Sequence, residues 1–299
     1  MLWERDGGDW PHREFSRFVT AAGMQWHIQR FPALHAPDQA PWLLLLHGTG
    51  ASSHSWRSLI PCLRQEFSIL NLDLPGHAFS GAPVHGVNST DMSLPGIARQ
   101  LGSLLAQQEV APALAIGHSA GAAIGVRMCL DGWMAPRMVV GLNAALLPLG
   151  GAAGTFFSPA AKLLARASWV PRLFSWRAQD PALLRRLIDT TGSVLDPTGM
   201  ALYGKLIRHA GHAAGALGMM ANWDLGALAE DLPRLRVPLQ LIVGSQDLTV
   251  SPAHSDRAMR CMAPEYRRPV IQLQGLGHLA HEEQAPRVAQ ELLSQWHAP

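Results

Sequence analysis

The feature that most constrains the fold of this 299-residue chain is a series of short apolar runs, each followed by a turn and a helical stretch. The runs are Trp42–Leu46, Phe67–Leu72, Ala113–Ile116, Met138–Leu142, Pro238–Val243 and Val270–Leu273. Strands apolar on both faces have to be covered on both sides, which a mostly parallel sheet between helices achieves. Right-handed crossovers then wind the chain onto both faces of that sheet. Before these runs, Phe15–Ala21 and Met24–Phe31 flank Gly23 and predict an opening β-hairpin. The expected class is α/β, with a doubly wound, mostly parallel sheet.

The rhythm breaks between residues 148 and 226. Helical patterning continues there in Ala160–Ala167, Pro181–Thr190 and Met200–Ala210, punctuated by Gly and Pro and without a convincing strand. The expected organisation is a core of residues 1–147 and 227–299, with residues 148–226 as a helical lid inserted between two core strands. The lid carries six Arg and two Lys against four Asp, in a chain whose net charge is only +2. So small a net charge gives no reason to expect a nucleic-acid partner. With 48% hydrophobic and 15% charged residues, the chain reads as globular.

Residues 1–14 include Glu4, Asp6 and Asp9 and lack the apolar stretch of a secretory signal. No apolar run approaches the roughly 18 residues that a membrane-spanning helix requires. Cys62, Cys129 and Cys261 are odd in number and widely spaced, so buried reduced thiols and a cytoplasmic location are expected.

Gly117-His118-Ser119-Ala120-Gly121 fits G-x-S-x-G, and its context sharpens it. The run Ala113–Ile116 precedes it and Ala120–Leu130 follows as a helix former, the strand–turn–helix setting of a nucleophile elbow. A serine hydroxyl needs a base, and a base needs an orienting acid. Gly275-Leu276-Gly277-His278 follows the last apolar run, so its loop reaches the same sheet edge as Ser119. His281 competes more weakly. Val243-Gly244-Ser245-Gln246-Asp247 ends another strand on a carboxylate, in the chain order Ser–Asp–His. Asp247 could instead cap the helix after Ser251-Pro252.

The oxyanion of acyl transfer needs two donors. The backbone N–H of Ala120 is one candidate, and that of Thr49 in His47-Gly48-Thr49-Gly50 is the other. His47, Asp73 and Ser80 read as structural turn residues. No H-E-x-x-H helix, Cys/His cluster or phosphate-loop spacing is present, so neither metal nor cofactor is expected.

Taken together, these residues resemble the α/β-hydrolase superfamily along most of the chain. The match covers the His47-Gly48 loop, the Asp73–Ser80 turn, the elbow, Asp247 and Gly277-His278. Serine at the elbow argues against the dehalogenase and epoxide-hydrolase branches, which place Asp there. It implies ester, thioester, amide or activated carbon–carbon cleavage. A narrower resemblance lies in Asp9-Trp10-Pro11-His12-Arg13-Glu14, Gly117–Asp131, Leu142–Pro148 and Gly215–Leu225. These segments look like the BchO family, magnesium-chelatase accessory proteins of bacteriochlorophyll biosynthesis.

That likeness implies a place at magnesium insertion in a photosynthetic pigment pathway, in a phototrophic bacterium. A small-molecule substrate, a tetrapyrrole ester, and transient contact with magnesium chelatase follow as expected partners. An aromatic pocket with arginines nearby suits a flat tetrapyrrole with carboxylate arms. Trp169, Trp176, Met219, Met220 and Trp223 are its candidate contacts. The same mixture of Arg and aromatic residues in Leu163–Trp176 suits peripheral contact with a photosynthetic membrane. Two activities stay open: hydrolysis by the triad, or non-catalytic porphyrin binding in support of the chelatase.

Overall fold

The computed structural model describes residues 1–148, 167 and 169–298. Eight strands form one sheet: β1 (Ser16–Ala21), β2 (Met24–Phe31), β3 (Trp42–Leu46), β4 (Ser68–Leu72), β5 (Pro112–His118), β6 (Met138–Leu142), β7 (Leu239–Gly244) and β8 (Ile271–Leu273). Their order is β1-β2-β4-β3-β5-β6-β7-β8. The hairpin β1–β2 pairs antiparallel and joins β4 antiparallel; from β4 across to β8 every pair is parallel. Ala22 and Gly23 both have positive φ, which suits the tight hairpin turn between paired Ala21 and Met24. The expected strands and the observed ones agree to within a residue or two.

Alternate strand residues serve opposite layers. Leu44, Leu46, Leu70, Leu72, Ala115, Val139 and Leu241 face one core. Leu43, Leu45, Ile69, Leu114, Ile116, Val140 and Ile242 face the other. This period of two buries both faces, as the continuous apolar runs require. Helix α1 (Leu94–Gln107) covers the first face through Leu94, Ile97, Leu101 and Leu105, and its N-cap Ser93 accepts from Gly96 N. Helix α2 (Ala120–Leu130) packs on the same side, and the C-terminal helix Ala285–His297 covers the other.

The chain leaves β3 for β4 on one side and later crosses to β5 on the other. The carboxyl ends of β3 and β5 therefore flank the point where strand order reverses, the usual ligand crevice of such sheets.

Between β6 and β7 the described residues form helices and no strand: α3 (Val170–Arg177), α4 (Pro181–Asp189), α5 (Pro197–Ile207), α6 (Ala210–Asn222) and α7 (Leu225–Asp231). Asp180, Asp196 and Asp224 cap α4, α5 and α7, with Pro in the first turn of α4 and α5. The helix expected at Met200–Ala210 thus begins earlier, at Pro197, and stops at Ile207. His209 is extended and starts α6. Helix α6 was hidden by its glycines, which have a packing purpose. A Cβ on Gly215 would lie 2.1 Å from the Gly76 carbonyl oxygen, and one on Gly218 2.2 Å from that of Val87. The segment expected as a helix at Ala160–Ala167 lies outside the described residues, Ala167 excepted, and so do Phe156, Phe157, Lys162 and Arg166.

All three thiols are free, but they are not all buried. Cys261 is exposed at the last position of Pro252–Cys261, the helix that turns His254, Ser255, Ala258 and Met259 inward. Cys62 and Cys129 are half-buried. No helix among the described residues is long and apolar enough to cross a membrane.

Candidate active site

Strand β5 ends in the G-x-S-x-G turn and α2 starts directly after it. Ser119 has φ 50° and ψ −112°, a conformation that costs a non-glycine residue about 1–3 kcal/mol. The surroundings enforce it. Ser119 N–H donates to the Leu142 carbonyl (2.9 Å), and Ala145 N–H donates to the Ser119 carbonyl (3.2 Å). Both motif glycines are required by close approach: a Cβ on Gly117 would lie 2.3 Å from Ala122 N, and one on Gly121 2.0 Å from the Leu46 carbonyl oxygen. Gly48 is held to the same standard, since its Cβ would meet His118 Nδ1 at 2.8 Å and Ser119 Cβ at 3.3 Å.

The loop after β3 therefore lies against the elbow. Thr49 and Ala120 stand on its two sides, and neither backbone N–H donates to any group among the described residues. Thr49 Oγ1 instead reaches the Met219 sulfur at 3.5 Å.

Asp247 follows β7 and His278 follows β8, so both loops open on the sheet edge that carries Ser119. His278 Nδ1 lies 2.8 Å from Asp247 Oδ2, with both side chains largely enclosed. Asn143 Nδ2 donates to the same oxygen at 2.7 Å and to the Gly277 carbonyl at 3.2 Å. The other oxygen, Oδ1, accepts from Thr249 N and Val250 N, each at 2.8 Å. Four donors fix the carboxylate plane. Asp247 thus shapes the turn before Pro252–Cys261 and faces His278 at once, while Ser251 takes the N-cap position. A histidine whose Nδ1 donates to a carboxylate leaves Nε2 as the basic nitrogen.

Two residues at this edge, Asn143 and His118, are not marked by the sequence. Asn143 has φ 50° just after β6, a left-handed turn that aims its amide at Asp247. Asparagine's tolerance of that conformation was the available signal. His118, the variable residue of the motif, donates from Nε2 to the His278 carbonyl at 2.9 Å. Burial, with His281 and His278 close by, holds its pKa well below the ordinary range, so it stays neutral. His281, the weaker candidate of the sequence, is buried. It is enclosed between Trp56 and His118, and burial first, then the neighbouring His278, lowers its pKa to about 3.

His47 and Asp73 behave as turn residues. His47 Nδ1 donates to the Gly48 carbonyl and its Nε2 accepts from Leu74 N. Asp73 pairs with His27 at 2.7 Å and accepts from Ser53 N, contacts that hold its carboxyl well below the usual range.

The five candidate contacts from the helices after β6 divide. Met219 is wholly enclosed (0% exposed) and shares the core of the sheet with buried Trp223, while Met220 is half-buried. Trp169 and Trp176 are 56% and 68% exposed. On α3 the inward positions are Pro171, Phe174 and Ser175, and Trp169, Leu173 and Trp176 fall on the opposite stripe. Trp176 borders a cleft of about 450 Å³ with Arg177, Gln179, Asp180, Leu183 and Arg186. No cluster of metal-ligating side chains occurs among the described residues.

A likeness to known proteins runs along this whole framework. Residues 43–291 match the model of the "Alpha/beta hydrolase family". The magnesium-chelatase 30 kDa subunit of Rhodobacter capsulatus is 38% identical over 276 residues, 92% of either chain. The pimeloyl-[acyl-carrier protein] methyl ester esterase of Aeromonas hydrophila is 28% identical over 186 residues, 53% of this chain and 67% of the esterase. Among solved structures, the enol-lactonase of Burkholderia xenovorans superposes with a TM-score of 0.75 at 20% identity, over 94% of this chain and 100% of the lactonase, a likeness of fold alone. Strand order, glycine-locked elbow and a family match from β3 into the last helix agree, and this chain belongs to the alpha/beta hydrolase family.

Proposed function

We propose that this chain is a serine hydrolase of bacteriochlorophyll biosynthesis, acting at or near magnesium insertion into protoporphyrin and cleaving an ester or related acyl bond. The observation that carries the chemistry is the enclosed His278–Asp247 pair, opening on the same sheet edge as the strained Ser119. In this reading Ser119 Oγ attacks the acyl carbonyl carbon while His278 Nε2 takes the hydroxyl proton. The N–H groups of Thr49 and Ala120 hold the oxyanion. Collapse of the tetrahedral intermediate breaks the bond to the leaving group, which departs with the proton from His278. Water, deprotonated by His278, then releases the acid and restores Ser119. Asp247 keeps the imidazole in the required tautomer throughout.

The pathway assignment draws on the Rhodobacter capsulatus relative, whose name places it with magnesium chelatase. The esterase relative favours an ester as the scissile group. Met220, half-buried on the helix that passes the Thr49 loop, is the proposed apolar contact for a tetrapyrrole ester, while the enclosed Met219 and Trp223 belong to the core. The exposed Trp169, Leu173 and Trp176, with Arg172 and Arg177 beside them, favour peripheral contact of α3 with an anionic membrane, from a cytoplasmic location.

A second reading is a porphyrin-binding or chelatase-assisting protein whose triad is idle, favoured by the same relative's being named as a subunit. A Ser119→Ala variant separates the two in a bacteriochlorophyll-producing host lacking the native copy. Loss of pigment with folded variant present supports hydrolysis. Full restoration of pigment overturns it and leaves the accessory role.

A further inference from the structure

The helical segment between β6 and β7 reaches into the mount of the histidine itself. Its turn Thr191–Ser193, between α4 and α5, touches both triad loops. The Thr191 carbonyl accepts from His278 N at 3.1 Å and from Leu248 N, next to Asp247, at 3.3 Å. One oxygen thereby joins the acid loop to the base loop. Ser193 Oγ accepts from Leu279 N at 2.8 Å. Thr191 Oγ1 donates to the Ile188 carbonyl (2.6 Å) and accepts from Ser193 N (3.2 Å), which ties the turn to the end of α4.

The backbones interlock as tightly as the hydrogen bonds imply. Gly192 has φ +74°, and a Cβ there would lie 2.1 Å from the Gln246 carbonyl oxygen. A Cβ on Gly277 would lie 2.4 Å from Gly192 C and 2.5 Å from Ser193 Oγ. Ser193 is buried, so its hydroxyl meets the Leu279 N–H without competition from water.

We propose that the turn Thr191–Ser193 positions the general base, with Ser193 as a positioning residue for His278, so that the inserted helices form part of the catalytic mount as well as its cover. The proposal rests on the hydrolase reading above. Among the described residues, the other supports of His278 come from the core: Asp247 at Nδ1, His118 at its carbonyl, and Asn143 through Gly277. Among the described residues, this turn alone links the base to the insertion through hydrogen bonds to His278 itself and to the residue after it. Movement of α4 and α5 as a substrate enters would therefore reach the imidazole through its own backbone.

The test is the rate at which a fluorophosphonate labels Ser119 in the full chain, resolved into a maximal rate and a half-saturating concentration. The variants are Ser193→Ala, Ser193→Cys and, as a control one residue before the turn, Thr190→Ala, whose hydroxyl donates to the Leu187 carbonyl. Displacing a catalytic group by an ångström costs on the order of 100-fold. Ser193→Ala is expected to lower the maximal rate about 10- to 100-fold, with half-saturation unchanged and the acid limb of its pH profile moved. Ser193→Cys should recover part of the rate, and Thr190→Ala should match the wild type. A wild type that labels no faster than Ser119→Ala removes the hydrolase reading. A wild type that labels well, with folded Ser193→Ala labelling as fast, overturns the positioning role alone.

Discussion

His278 Nδ1 meets Asp247 Oδ2 at 2.8 Å, while the other oxygen of Asp247 is occupied by two backbone N–H groups of the turn that follows it. The carboxylate cannot rotate without breaking that turn, so the imidazole inherits the rigidity of β7.

Asp247→Asn keeps the shape and removes the charge, and its amide can present an N–H to Nδ1. That stabilises the wrong tautomer, for which a loss of about 10⁴-fold in turnover is typical. Labelling of Ser119 should fall by about that factor with the fold intact. Asn143→Ala removes one of the four donors and should cost less, about 10- to 100-fold, since one hydrogen bond to a charged group contributes about 1.5–3 kcal/mol. Equal rates for Asp247→Asn and wild type would remove Asp247 from the chemistry.

Gly121→Ala tests the elbow. The added Cβ would lie 2.0 Å from the Leu46 carbonyl oxygen, in backbone that cannot yield without moving β3. The expected loss is more than about 3 kcal/mol, read as a lower urea midpoint. Gly8→Ala meets nothing within 4 Å and should change stability by no more than about 0.5 kcal/mol.

Acid should unfold this protein early. His47, His54, His77, His118, His212, His254 and His281 are buried, and burial is the main cause of each lowered pKa, to about 4 for His212 and His254 and about 3 for His281. A base whose folded pKa is depressed adds stability above its unfolded pKa and loses it as pH falls toward the folded value. Each such histidine removes up to about 1.4 kcal/mol per pH unit below roughly pH 6.5. Glu282, pushed up to about 7 by burial against the pull of Arg57 and Tyr203, works in the opposite direction and offsets part of this. The urea midpoint should therefore drop sharply between pH 7 and pH 5. A flat profile over that range would contradict neutral burial of these rings.

The α3 face should bind membranes by charge and by its indoles. Liposomes rich in phosphatidylglycerol should bring down the full chain and shift its tryptophan emission to the blue, and phosphatidylcholine liposomes should not. Replacing Trp169, Leu173 and Trp176 together by Ser should abolish the binding with little change in stability, because all three are exposed. Binding that survives this replacement would place the contact elsewhere.

Much of this molecule was written locally. Runs such as Trp42–Leu46 and Met138–Leu142 announce parallel strands, because a strand buried on both faces has no polar alternation to disguise it. The motif Gly117–Gly121 announces a strand–turn–helix, because only small residues tolerate that approach of backbone to backbone. The helix Ala210–Asn222 was not legible, since glycine lowers helical propensity whatever its packing purpose. The α3 tryptophans divide from Met219 for a similar reason: composition counts aromatics, while the helical phase decides which face solvent.

What the sequence determined alone is the class of sheet, the elbow at Ser119 and the chain order of the residues around it. The tertiary structure decided what surrounds them: Asn143 on Asp247, His118 beneath His278, and Thr191 bridging both loops from 57 residues before Leu248 and 87 before His278. The Thr191 hydrogen bonds join backbone groups that every residue carries. No side-chain pattern encodes them, and they exist only once the sheet has brought distant loops to one edge.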